Sequence, residues 1–201
     1  IVPAQPPLTV MVSSSVYQNQ SLLEQVFAVL QGYKYEVWMS HMGTVPVFSK
    51  QSNYDNCLEA VEKCDIFLGI ITPFYGTGKT EDGRTITHHE LLKAIELDKV
   101  QWVLSDYRVN FARQLLKQFR FTQQGNPRAS FQFNKTSVLD DIGVIEMYED
   151  AIRSDVDLSD RTGNWVHEYR TDNEAVFYIN SQLGAVDRVR DFVSQTEEDN
   201  G

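Results

Sequence analysis

The stretch DIFLGII, residues 65–71, carries the strongest strand signal in the chain, and a loop with three glycines follows it. Its apolar residues run on without the polar alternation of a strand that faces solvent on one side. An unbroken apolar run of this length is typical of a parallel strand that helices cover on both faces. We therefore predict that this stretch is the central strand of a sheet.

Strand and helix signals alternate on both sides of this stretch. Short apolar runs predict further strands at residues 8–12, 35–39 and 100–104. Apolar residues at helical spacing predict helices at residues 21–31, 52–63, 87–97 and 111–121. Strands separated by single helices pair in parallel. The pattern predicts an α/β three-layer sandwich with a mainly parallel, flavodoxin-like sheet, and we assign residues 1–122 to it.

The character of the chain changes after residue 122, where Gly125, Asn126 and Pro127 mark a break. The segment SFQFN, residues 130–134, predicts an added strand or hairpin. Helical spacing recurs at residues 138–152, and a last helix is predicted near residues 184–194. We interpret residues 123–201 as an α-rich extension that packs on the sandwich.

Charge and cysteine content limit the partners and the compartment. The 201 residues carry a formal net charge of −10, which argues against nucleic acid or an anionic membrane as a partner. The sequence contains no run of 18 apolar residues, so no membrane span is predicted. Cys57 and Cys64 are predicted to be reduced core thiols, which is typical of a cytoplasmic protein.

Ligands of such sandwiches bind beyond the carboxyl ends of the strands, where the strand order reverses. In this chain that crevice falls at SSS, residues 13–15, and at the loop after residue 71. Ser13 and Ser14 can donate to a phosphate or a ribose hydroxyl, or can form a turn. Tyr17 and Tyr75 can pack on a base, although Tyr17 could equally be a packing residue.

The loop after the central strand ends in Gly-Lys-Thr, as a phosphate-binding P-loop does, but the rest of the P-loop pattern is missing. Its first glycine would fall on Pro73, which has no N–H to donate, and two acids follow Thr80. Lys79 is therefore predicted to be a mobile residue at the rim of the crevice. The glycines of the loop suggest a lid that places Tyr75 and the start of the next helix over the crevice.

Glu90, near the start of the helix that follows this loop, is the candidate catalytic residue. A carboxylate there could act as a nucleophile or stabilise an oxocarbenium-like ion. Alternatively, Thr87 to Glu90 match a capping box, in which Glu90 would cap its own helix. Thr87 is a further candidate ligand contact. His88 and His89 are adjacent and point to different faces of the helix, so no metal site is predicted, and no cofactor is predicted either.

Three motifs together resemble one uncharacterised family: VMVSSSVY near the start, CLEAVEKCDIFLGIITPFYG in the middle and TITHHELLKAIELDK after it. That family is related to TIR-like domains and to nucleoside 2-deoxyribosyltransferases, and its members often precede STAND-type ATPases in bacteria. The resemblance implies that Glu90 works on, or contacts, an N-glycosidic ligand. The chain departs from the transferases at three places. They carry an acid just after the central strand, where this chain has Pro73 and Phe74, and a second acid on the preceding helix, where it has Cys57. They also carry a glycine where it has Ile86.

Two functions follow as hypotheses. The first is a nucleotide- or nucleoside-binding, TIR-like module that acts as a sensor or interaction domain in signalling such as bacterial defence. The alternative is an N-glycosidase that cleaves NAD or a nucleoside with Glu90. We favour binding, because two acids of the transferases are missing. A homo-oligomer or a partner protein is compatible with both hypotheses.

Overall fold

The computed structural model describes residues 5–199 and forms one sheet of five parallel strands between two helical layers. The strands are β1 (Thr9–Ser14), β2 (Glu36–Trp38), β3 (Ile66–Ile71), β4 (Val100–Asp106) and β5 (Val166–Tyr169). The helices are α1 (Gln20–Gly32), α2 (Asn53–Lys63), α3 (Ile86–Glu96), α4 (Tyr107–Arg120), α5 (Gly143–Ala151), α6 (Asp172–Leu183) and α7 (Val186–Asp199).

The strand order is β2-β1-β3-β4-β5, and every pair is parallel. This is the flavodoxin-like order, so the predicted fold class is confirmed. All six residues of β3 are buried, because helices cover both of its faces. The order reverses between β1 and β3, and their carboxyl ends lie side by side with Ser14 opposite Ile70.

Two apolar cores lie on opposite faces of the sheet. One core joins β1, β3 and the helices α1, α6 and α7. The other joins β3, β4 and the helices α2, α3, α4 and α5. None of the helices within residues 5–199 combines the length and the apolar character that a membrane span requires.

The structure corrects three details of the extension. Residues 130–134, predicted as a strand or hairpin, have no regular structure. The helix predicted from residue 138 begins at Gly143, and α6, which was not predicted, precedes α7, the helix predicted near residues 184–194. Strand β5, which was not predicted, pairs with β4 and completes the sheet.

The division into residues 1–122 and 123–201 stays a prediction, and its outer ends, residues 1–4 and 200–201, lie outside the described part of the chain. Because β5 belongs to residues 123–201, this segment contributes to the sheet itself as well as to the helical layers. The helical content predicted for it is present in α5, α6 and α7.

Candidate functional site

A cavity of about 730 Å³ lies beyond the carboxyl end of β1, beside the start of α3. It is the crevice that the strand reversal between β1 and β3 predicts. Its walls come from the end of β1, the loop after β2, the start of α2, the loop after β3, the start of α3 and the segment before α5. The lining residues used below are Ser14, Ser15, Tyr17, Cys57, Thr87, Glu90, Lys135 and Asp140.

Glu90 is part of the cavity wall, although its side chain is only 5% exposed. The Ser13 hydroxyl donates a hydrogen bond to Glu90 Oε2, and the Cys57 thiol donates a second bond to the same carboxyl group. Burial raises the pKa of Glu90 to about 7, and these two hydrogen bonds act against that rise. At neutral pH the carboxyl group is therefore present in both protonation states, so it can donate a hydrogen bond to a ligand or accept one.

The first turn of α3 is capped by Thr85, which corrects the capping box predicted at Thr87. The Thr85 backbone is extended, and its side-chain oxygen accepts a hydrogen bond from the His88 N–H at 3.4 Å. Because the helix starts at Ile86, Glu90 lies one turn beyond the cap and points towards Ser13. Thr87 is left free of the capping role and lines the cavity.

The three serines at the end of β1 have different roles. Ser13 is buried and engages Glu90. The Ser14 hydroxyl makes only long contacts, to the Ser15 carbonyl oxygen at 3.2 Å and from Asn19 Nδ2 at 3.4 Å. Ser15 forms a 2.6 Å hydrogen bond with Thr72 at the end of β3. Ser14 is thus the serine whose hydroxyl is most available to a ligand, whereas Ser13 acts through Glu90.

The two predicted aromatic contacts separate in the structure. Tyr17 is 62% exposed at the cavity wall, and its ring meets the edge of Phe74 with the centroids 5.2 Å apart. Tyr75 is only 3% exposed, does not line the cavity and lies in the apolar core below it. Its hydroxyl is 2.6 Å from His88 Nδ1. The prediction that Tyr75 lies over the crevice is therefore wrong, because its ring packs directly on Gly143, which has no side chain, at the start of α5.

The sequence comparison assigns the family. Domains of unknown function grouped as DUF4062 match residues 9–163. The chain belongs to the DUF4062 family. This confirms the predicted membership of an uncharacterised family, and a comparison with curated proteins finds no match.

Among solved structures, a 2-desoxiribosyltransferase from Leishmania mexicana is similar to the DUF4062 domain. The two are 17% identical with a TM-score of 0.39, and the match covers 71% of this chain and 97% of the transferase chain. A likeness this distant does not extend to activity.

The glycine-containing loop between β3 and α3 makes two contacts through Lys79 in the DUF4062 domain. Lys79 Nζ lies 2.5 Å from Asp141 Oδ2, and Lys79 also forms an antiparallel bridge with Thr85. The Lys79 side chain remains 46% exposed in this ion pair, and its mobility stays a prediction. Helix α3 starts well after Lys79, so the loop does not present this lysine at a helix start as a P-loop would. The lid function of the loop stays a prediction.

Three residues that line the cavity of the DUF4062 domain were not among the predicted site residues. Cys57 is half-buried on the wall rather than in the core, while Cys64 is buried as predicted, and both thiols are free. Burial and the neighbouring Glu90 raise the pKa of Cys57 to about 12, so this thiol acts as a hydrogen-bond donor. Lys135 and Asp140 come from the irregular segment before α5. A lysine and an aspartate are residue types that often contact ligands, but the sequence gives no indication that these two lie at the cavity.

The adjacent histidines of α3 contact different partners. His88 is buried, with Nε2 2.7 Å from Asp150 Oδ2. His89 Nε2 lies 2.9 Å from Thr80 Oγ1. Within residues 5–199, no three His, Cys, Asp or Glu side chains come together in a way that could hold a metal ion.

Proposed function

We propose that this DUF4062 domain binds a nucleoside or nucleotide in the cavity at the end of β1 and serves as a sensor or interaction module. The observation that carries the proposal is the Glu90 carboxyl group, buried against Ser13 and Cys57 but forming part of the wall of a 730 Å³ cavity. A cavity of this size falls within the range of about 300–1,000 Å³ that small-molecule sites occupy.

The chemistry of the wall suits the three parts of a nucleotide. Glu90, Ser14 and Thr87 offer oxygen atoms to the hydroxyls of a ribose. The exposed ring of Tyr17 offers a face on which a base can stack. The Lys135 side chain brings a cation to the wall, which favours a phosphate over an uncharged end of the ligand.

The resemblance to TIR-like domains that precede STAND-type ATPases supports the sensor role. In that role the bound nucleotide changes how the domain contacts its partner, and no turnover is needed. The net charge of −10 supports a small ligand over a nucleic acid, since a phosphate backbone is repelled by such a surface.

An N-glycosidase that uses Glu90 is the alternative. Glu90 has a pKa of about 7 and is therefore partly ionised at neutral pH. An ionised carboxylate next to the anomeric carbon stabilises the positive charge that develops as the base leaves. Asp140 lines the same cavity, and its Oδ1 accepts a hydrogen bond from the Tyr75 N–H, just after β3, at 2.8 Å. A second carboxyl group thus lies beside the end of β3, where the strand itself supplies none.

A thermal-shift and calorimetric screen with adenosine, AMP and NAD tests binding. A ligand at 100 times its dissociation constant stabilises the fold by about 2.7 kcal/mol, which raises Tm by several degrees. We expect such a shift with at least one of these ligands, and we expect Glu90→Ala to abolish it. Glu96→Ala, at the exposed end of the same helix, is the matched control and retains the shift. If none of these ligands binds at about 1 mM, the proposal is wrong.

Chromatography of the same mixtures measures the release of free base and so distinguishes an N-glycosidase from a binding module. An N-glycosidase would release base faster as the pH rises through about 7, where Glu90 ionises, and would lose this activity in Glu90→Ala. If a ligand binds but no free base is released, the sensor role is supported and the N-glycosidase hypothesis is wrong.

A further inference from the structure

Helix α4 carries an apolar ridge on its solvent side. Tyr107, Phe111, Leu115 and Phe119 follow one another at intervals of four residues, and each is between 38% and 60% exposed. The core contacts of the helix come from its two buried residues, Val109 and Ala112. Residues at i and i+4 lie on one helix face, so the four side chains form a continuous strip about 18 Å long.

The strip is more than scattered exposure of single side chains. Taking about 200 Å² for each fully exposed side chain, the four together present roughly 400 Å² of apolar surface. A standard protein interface takes about 800 Å² from each partner, of which roughly 56–65% is apolar. The ridge therefore supplies most of the apolar area that one side of a stable dimer needs.

Two of the four charged side chains of α4 lie away from the ridge. Arg113 and Arg120 are on the opposite flank, where both bind Glu149 at 3.2 and 2.9 Å. Between the ridge residues stand the uncharged side chains of Gln114 and Gln118. Two copies of a chain with a net charge of −10 repel each other in general, but α4 contains no acidic residue, and Arg108, its charged residue next to Tyr107, is paired with Asp106 at 2.7 Å.

We propose that α4 packs against α4 of a second copy of this chain to form a two-fold symmetric dimer. In a two-fold contact each residue meets the surface that carries its own equivalent, so an uncharged apolar ridge is self-complementary. Ridges of i, i+4 residues that pack into each other cross at about −50°. Leu115, in the middle of the strip, lies next to its own copy at the axis.

Sedimentation velocity across a concentration series tests the dimer. We expect the native protein to change from a monomer to a dimer as the concentration rises. Leu115→Glu places two carboxylates at the axis, and we expect it to raise the dissociation constant at least tenfold. Phe177→Glu is the matched control, since Phe177 is also exposed but belongs to α6, on the other face of the sheet. It leaves the dissociation constant unchanged.

Oxidative cross-linking gives an independent readout. Leu115→Cys should form a disulfide-linked dimer, because equivalent residues at the axis lie within disulfide distance, while Phe177→Cys should remain a monomer on a non-reducing gel. Leu115 is half-exposed, so both of its variants should keep the native circular dichroism and melting temperature. A protein that stays monomeric at every concentration, or a dimer that Leu115→Glu does not weaken, would overturn the proposal and leave the ridge to a different partner.

Discussion

Replacing Glu90 by glutamine should make the protein more stable at neutral and alkaline pH. The substitution keeps the size of the side chain and removes its ionisation. In the folded chain the pKa of Glu90 is about 7, because burial opposes the charged form, whereas the ordinary value is 4.5. This difference of about 2.5 pH units corresponds to about 3 kcal/mol.

The sign follows from the protons that each state binds. Below pH 4.5 both the folded and the unfolded chain hold the proton on Glu90, and the free energy of unfolding is not reduced by its ionisation. Between pH 4.5 and about 7 the unfolded chain releases the proton and the folded chain keeps it, so the free energy of unfolding falls with rising pH. Above about pH 7 both states are ionised and the loss is complete.

Urea unfolding of the native protein and of Glu90→Gln at several pH values measures the effect. All other titrating groups are common to the two proteins and cancel in the difference. We expect the variant to gain about 3 kcal/mol relative to the native protein between about pH 4.5 and pH 8. Glu96→Gln, which removes a charge from the exposed end of the same helix, should change by less than about 1 kcal/mol. A difference for Glu90→Gln that is constant across this range would refute the reasoning, because it would mean that the carboxyl group is hydrated.

Two further substitutions test local features of the structure by urea unfolding. Thr85→Ala should lower the free energy of unfolding by about 1 kcal/mol because Thr85 caps α3, and Thr87→Ala should lower it much less. A larger loss for Thr87→Ala would show that Thr87 is the cap. Gly143→Ala should cost about 1–3 kcal/mol, since its new methyl group would lie 2.4 Å from a ring carbon of Tyr75. Gly32→Ala, with nothing within 4 Å, should instead gain up to about 1 kcal/mol, and equal effects of the two glycine changes would contradict this packing.

The buried part of the sheet was predictable because its strands are nearly continuous apolar runs. Strand β3 is fully buried, and the sequence signal and the structure differ there by a single residue. Strand β5 was missed because its sequence, VHEY, has two adjacent polar residues between two apolar ones, and so shows neither an apolar run nor the alternation of a strand. The aromatic segment at residues 130–134 looked more like a strand, yet it pairs with none of the five strands and has no regular structure.

The candidate site was predictable only where it depends on the ends of strands and helices. Ser14, Thr87 and Glu90 follow from the rule that ligands bind where the strand order reverses. The bond between Ser13 and Glu90 joins residues 77 positions apart, so it depends on the packing of α3 against β1. Lys135 lies in a segment without periodicity, and no local pattern indicates that it reaches the cavity.

The cost of Glu90 to stability also bears on its role. A glutamine or a leucine would occupy the same space without the ionisation penalty, and folds keep such penalties mainly where a group has a function. Glu90 is bonded by Ser13 and Cys57 on its inner side and forms part of the cavity wall. A ligand hydroxyl that donates to the ionised carboxylate would lower the pKa of Glu90 and offset part of the lost stability. Ligand binding at this site should therefore release a proton near neutral pH, which an unbonded acid on the surface would not do.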